Sequence, residues 1–79
     1  MASYYEAFGQ QVRRLRERRG YTQEELSNRS GIHVSYLSGI ERGIRNPSLR
    51  SIRRLAKALG LRVGKLFAFE ICPPPEEAG

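Results

Sequence analysis

Short segments with helical periodicity, separated by glycines, restrict what this sequence can fold into. Within each segment apolar residues recur three or four positions apart, as they do on the buried face of an α-helix. A glycine after the last periodic residue is typical of a helix end, because it adopts the left-handed conformation found there. The pattern predicts five helices, over residues 4–19, 22–30, 33–41, 48–59 and 62–68. With no strand pattern, the predicted fold class is all-α.

The second and third segments form the most specific pattern in the chain. Thr22 can cap a free backbone N–H, Glu25 three residues later completes a capping box, and Gly31 ends the helix. A short connection then leads to a second helix, which is the geometry of a helix-turn-helix. The apolar residues fall where the two helices must touch: Leu26, Ile32, Leu37 and Ile40. The outward face of the second helix keeps polar or small residues: His33, Ser35, Ser38 and Gly39.

The charge balance indicates the kind of partner. The 79 residues include 14 Lys and Arg against 8 Asp and Glu, a formal net charge of +6. Such a field favours a polyanion, either nucleic acid or an acidic membrane surface. A membrane-surface helix needs a broad apolar face left free, whereas these faces are required for a core or a dimer. Nucleic acid is therefore the expected partner, and the helix-turn-helix geometry favours double-stranded DNA.

Residues 1–70 are long enough for one domain, and residues 71–79 differ from them. Pro73, Pro74 and Pro75 cannot continue a helix, so a short disordered tail is expected. The chain has one histidine, one cysteine and no aspartate, so no catalytic pair and no metal site is expected. Neither a cofactor nor a small-molecule ligand is implied, and Cys72 is expected to be an inert thiol. Without an apolar run of about 18 residues or a leader, a cytoplasmic protein is expected.

Residues 22–60, TQEELSNRSGIHVSYLSGIERGIRNPSLRSIRRLAKALG, resemble the Cro/cI-type (XRE-like) helix-turn-helix domains of phage repressors and bacterial regulators. The resemblance extends back through VRRLRERRGYTQ and forward through LRVGKLF. Within that superfamily, YLSGIERGIRN resembles the controller proteins of restriction–modification systems. The resemblance implies a five-helix lambda-repressor-like domain that regulates transcription as a homodimer on a pseudo-palindromic operator. An antitoxin-like or phage-type repressor that also binds a protein partner is the alternative.

In these domains the second motif helix enters the major groove of DNA. The resemblance implies that Val34, Ser35 and Ser38 face the bases, with His33 at the rim. Valine offers only methyl contacts and Gly39 has no side chain, so operator shape is expected to supply much of the specificity. Phosphate contacts are implied for Gln23, Arg42, Arg45, Asn46 and Ser48. Of these, Arg45 resembles an arginine that reaches bases in controller proteins.

The resemblance also implies a structural role for two charged residues. Arg16 and Glu41 match positions that pair across the fold and clamp the recognition helix to the first helix. Apolar residues near the fifth helix exceed what a four-helix core needs and are expected to form a dimer interface: Leu61, Val63, Leu66, Phe67 and Phe69. The first helix is expected to cover the core through Tyr4, Tyr5 and Phe8. A solvated basic face is expected on the fourth helix at Arg53, Arg54 and Lys57.

Overall fold

The computed structural model describes residues 3–69, which form five α-helices and no strand. The helices are α1 (Tyr4–Arg18), α2 (Gln23–Ser30), α3 (Val34–Glu41), α4 (Leu49–Leu59) and α5 (Val63–Leu66). The predicted all-α, five-helix fold is confirmed. α5 is shorter than the predicted 62–68, since Arg62 before it makes no side-chain cap and the backbone leaves helical geometry at Phe67. The predicted tail, 71–79, lies outside the described residues.

Side-chain caps fix where the helices begin. The Thr22 hydroxyl accepts the Glu25 N–H at 3.0 Å, and the Glu25 carboxylate accepts the Thr22 N–H at 2.8 Å. Ser3 and Glu6 form the same capping box at the start of α1. Because both reciprocal bonds are present, backbone donors that a helix start leaves free find partners. The start of α2, which supports α3, is therefore set by its own sequence.

The core lies between the helices and is built from aliphatic side chains of all five. Seven of them are fully buried: Val12, Leu26, Leu37, Ile40, Leu55, Leu59 and Leu66. The prediction that Leu66 belongs to a dimer interface is wrong, because its side chain is 0% exposed within its own chain. α5 packs against α4 and α1 and turns Leu66 inward.

The start of α1 also differs from expectation. Phe8 is buried, whereas Tyr4 is 62% exposed and Tyr5 48% exposed, so neither tyrosine covers the core as predicted. α1 instead packs tightly against the end of α3 one turn later, at Gly9. A Cβ on Gly9 would overlap the carbonyl oxygen of Ile40, so only glycine allows the two helices to come this close. α1 thus supports α3 from behind.

Candidate DNA-binding surface

The turn between α2 and α3 is held from both sides. Gly31 ends α2 with a φ of +75°, a left-handed conformation that side chains disfavour. Ile32 then enters the core, its N–H bonded to the Ser30 hydroxyl at 3.2 Å. The Ser27 hydroxyl donates to the Ile32 carbonyl oxygen. With the turn fixed in this way, the direction of α3 is determined by α2 and the core.

The first turn of α3 is the part of that helix most open to solvent. His33 and Ser35 are exposed and Val34 and Ser38 are half-buried, whereas Leu37 lies in the core. The Nδ1 atom of His33 accepts the Ser35 N–H at 3.2 Å and so caps the helix. Because that nitrogen accepts, a neutral His33 carries its proton on Nε2, which stays available as a donor. Val34 and Ser35 therefore lie at the start of α3 with His33 just before them, and Ser38 follows one turn later.

Arg16 and Glu41 tie the other end of α3 to α1. Their two hydrogen bonds measure 2.7 Å and 3.0 Å, and the side chains are 10% and 4% exposed. The bond to Glu41 raises the pKa of Arg16 above its ordinary value, against the opposing effect of burial. Arg16 also donates to the Tyr21 carbonyl oxygen at 2.9 Å. The pair is thus a charged structural clamp, which is the role that the resemblance implied.

Gln23, the first residue of α2, belongs to the same network. Its Nε2 donates to Glu41 Oε1 at 3.0 Å, and the side chain is half-buried. An amide nitrogen carries two hydrogens, so the second remains for a phosphate oxygen. The contact with a DNA phosphate that the resemblance implied for Gln23 is compatible with this position. The bond to Glu41 was not expected from the sequence.

The loop after α3 carries the predicted cationic and polar contacts in exposed positions. Arg42, Arg45, Asn46 and Ser48 are all exposed. The Ser48 hydroxyl, however, accepts the Ser51 N–H and donates to the Ser51 hydroxyl, both at 3.1 Å. Since its proton is donated to the Ser51 hydroxyl, a phosphate at Ser48 would meet backbone N–H groups of the helix start instead.

The same loop is attached to α3 by bonds that the sequence did not reveal. The Ile44 N–H donates to the Gly39 carbonyl oxygen at 3.0 Å. The Tyr36 hydroxyl donates to the Asn46 carbonyl oxygen at 3.2 Å. Tyr36 was not among the predicted site residues. The only signal in the sequence was an aromatic side chain with a polar hydroxyl on the recognition helix. These bonds hold the loop along α3.

Gly39 was expected on the outward face of the second motif helix, but it is buried. A Cβ on Gly39 would overlap Cγ of Arg45 and lie 3.5 Å from its Cβ and Cδ. The aliphatic part of Arg45 therefore covers Gly39. Gly39 is buried on this face because a side chain from the following loop packs over it.

The predicted dimer patch, without Leu66, is a partly exposed apolar surface. Val63 is 39% exposed and Phe67 43% exposed, and Leu61 and Phe69 are half-buried. The Phe67 ring packs on Phe8 at 5.1 Å between centroids, which fixes its position on the surface. The exposed side chains of Arg53, Arg54 and Lys57 lie on α4, which borders this patch.

Residues 3–69 contain neither a metal-ligand cluster nor a membrane-crossing helix. In that range no group of three His, Cys, Asp or Glu side chains comes together to hold a metal ion. No helix there is long and apolar enough to cross a lipid bilayer. Cys72 lies outside the described residues.

Comparison with known proteins matches residues 12–66 to the helix-turn-helix family model. Control protein C.BamHI of Bacillus amyloliquefaciens is 43% identical over 63 residues, which is 78% of this chain and 78% of that protein. The crystal structure of the restriction–modification controller protein C.AhdI from Aeromonas hydrophila shares 46% identity with a TM-score of 0.79, covering 80% of this chain and 96% of that one. The crystal structure of SinR, the master regulator for biofilm formation, in complex with DNA shares 35% identity with a TM-score of 0.72. The match covers 75% of this chain and 95% of that one.

Proposed function

Because the chain belongs to the helix-turn-helix family, we propose that it is a sequence-specific DNA-binding transcriptional regulator that acts as a homodimer on a pseudo-palindromic operator. The predicted relation to Cro/cI-type domains and to controller proteins is confirmed by the family match and by C.BamHI and C.AhdI. Restriction–modification control is the subtype that these two relatives favour. The protein would act in the cytoplasm, where duplex DNA is found, and its function needs no catalysis.

One observation carries the proposal: exposed side chains stand at the start of α3, while the end of the helix is anchored inside the protein. His33 and Ser35 are open to solvent, and Glu41 at the far end is paired with Arg16. α3 is thus anchored at its C-terminal end and open to solvent at its N-terminal end. A recognition helix enters the major groove in this way, with its N-terminal residues over the bases.

The charges around this helix end support the same assignment. Arg42 and Arg45 are exposed in the loop that runs along α3, and Gln23 keeps an amide hydrogen free at the start of α2. Phosphates of the duplex would meet these groups while the start of α3 lies over the bases. Such contacts set the position of the protein on the duplex but carry little sequence information.

The dimer is proposed from the apolar patch around α5. Val63 and Phe67 are more than a third exposed, and Leu61 and Phe69 extend the patch. A contiguous apolar surface of this kind commonly marks an interface. Two copies related by a twofold axis would present two α3 helices to half-sites about 34 Å apart, one turn of DNA.

The proposal is tested by measuring binding to duplexes taken from the region upstream of the protein's own coding sequence. Ser35→Glu adds a carboxylate at the exposed start of α3, where it suits the helix dipole but is repelled by DNA. We expect this variant to keep its fold and to lose at least tenfold in affinity. Gln10→Glu makes the same charge change at an exposed site on α1 and should bind nearly as well as the wild type. Equal effects of the two changes, or no preference of the wild type for any duplex, would refute the proposal.

A further inference from the structure

Gly39 occupies a position on α3 where a base-reading side chain would be expected. It lies four residues after Ser35, so both face the same side of the helix. Ser35 is exposed, whereas Gly39, which has no side chain to shield it, is buried. The three atoms nearest to a Cβ built on Gly39 all belong to Arg45. The cover therefore comes from one side chain of the following loop.

The backbone on both sides of Arg45 is fixed to α3. Before it, the Ile44 N–H bonds to the carbonyl oxygen of Gly39 at 3.0 Å. After it, the Asn46 carbonyl oxygen accepts the Tyr36 hydroxyl at 3.2 Å. Arg45 Cβ, Cγ and Cδ then lie where a side chain of Gly39 would be. The helix and the loop thus form one surface, with the Arg45 stem lying along α3.

We infer that Gly39 is a specificity-determining residue. Because Gly39 has no side chain, the stem of Arg45 can pack against α3, at a place where the helix itself offers no long polar group. The inference rests on the proposed DNA-binding function. The α3 residues proposed to face the bases are a valine and two serines, whose side chains are short. An arginine seated on the same helix supplies a planar fork that can bond O6 and N7 of guanine together. Gly39 contacts no base and acts through Arg45, as a positioning residue.

Gly39→Ala separates this role from folding. The added methyl group overlaps Cγ of Arg45, so the arginine stem must leave its seat. Alanine is a better helix former than glycine, so α3 is not weakened by the change itself. Preference for guanine at the base pair that Arg45 reads should fall about 5- to 150-fold, the range of one bidentate contact. Preference at the other base pairs should change little.

The test is selection of bound sequences from a random duplex pool, with thermal unfolding of each variant as the check on folding. We expect Gly39→Ala and Arg45→Ala to lose preference at the same position in each half-site. Arg45→Lys keeps most of the stem but lacks the planar fork, so its preference at that position should be weaker than that of the wild type. The double variant Gly39→Ala, Arg45→Ala should match Arg45→Ala alone, because no stem remains to be displaced.

The outcomes distinguish this inference from the function on which it rests. If the wild type selects no sequence, the proposed function fails. If the wild type selects an operator and Gly39→Ala keeps every base preference, the inference fails alone. If Gly39→Ala weakens all positions equally, or the double variant loses preference beyond Arg45→Ala, Gly39 acts on the helix rather than through Arg45, and the inference is again overturned.

Discussion

Glu41 at the end of α3 and Arg16 of α1 bond to each other at two points inside the protein, Nε to Oε2 at 2.7 Å and Nη2 to Oε1 at 3.0 Å. Gln23 of α2 bonds to the same carboxylate at 3.0 Å. One acidic side chain therefore joins three helices. The arrangement fixes the angle at which the exposed end of α3 leaves the protein, which links folding stability to DNA recognition.

Replacing Glu41 by glutamine should lower the free energy of unfolding by about 3–5 kcal/mol, the cost of leaving one partner of a buried pair without its countercharge. Urea denaturation measures the change. Glu17→Gln is the matched control, since Glu17 pairs with Arg13 at 3.1 Å but the two side chains are 54% and 64% exposed. An exposed pair contributes less than about 1 kcal/mol. Similar losses in the two variants would contradict a clamp at Glu41.

Gln23→Ala should affect both stability and DNA binding. The lost bond to Glu41 should reduce the free energy of unfolding by about 1 kcal/mol, and the lost phosphate contact should weaken DNA binding severalfold. Denaturation and fluorescence anisotropy titrations measure the two effects separately. Glu24→Ala, at the next and exposed position, serves as the control for stability. An unchanged affinity for Gln23→Ala would show that this side chain contacts no phosphate.

Arg42→Gln should make DNA binding less sensitive to salt. Each phosphate contact releases counterions and contributes about −0.9 to the slope of log affinity against log salt concentration. Removing Arg42 should therefore reduce the slope by about 0.9 per subunit. Lys57→Gln removes the same charge from α4, eight residues beyond its start at Leu49. A slope that changes for Lys57→Gln and not for Arg42→Gln would place the DNA against α4 and would contradict the proposed contact at Arg42.

Val63→Glu should weaken self-association in the absence of DNA by more than tenfold. Val63 is 39% exposed in the apolar patch, and a carboxylate there would have to be desolvated when two copies meet. Sedimentation equilibrium measures the change. Leu49→Glu is closely matched, because Leu49 is also the first residue of a helix and is 79% exposed, but lies outside the patch. Dissociation caused only by Leu49→Glu would move the interface to the start of α4.

The sequence predicted the helices because their signals are local. The capping box at Thr22 and the apolar spacing through Leu37 and Ile40 are visible within a few residues. The position of Leu66 was missed, since periodicity shows that a short helix has an apolar face but not whether that face reaches the core. The burial of Gly39 was missed because it depends on where the loop after α3 places the side chain of Arg45. Pairing of Arg16 with Glu41, 25 residues apart, came from resemblance and not from spacing.

The central claim is that the exposed start of α3 and the loop after it meet the bases and backbone of duplex DNA. NMR titration of backbone amide signals with an operator duplex tests it most directly. The account predicts that the largest shifts fall on residues 33–38 and 42–46, while the exposed α4 residues Arg53 and Lys57 change little. Shifts concentrated on α4, with those of α3 unmoved at saturation, would contradict it.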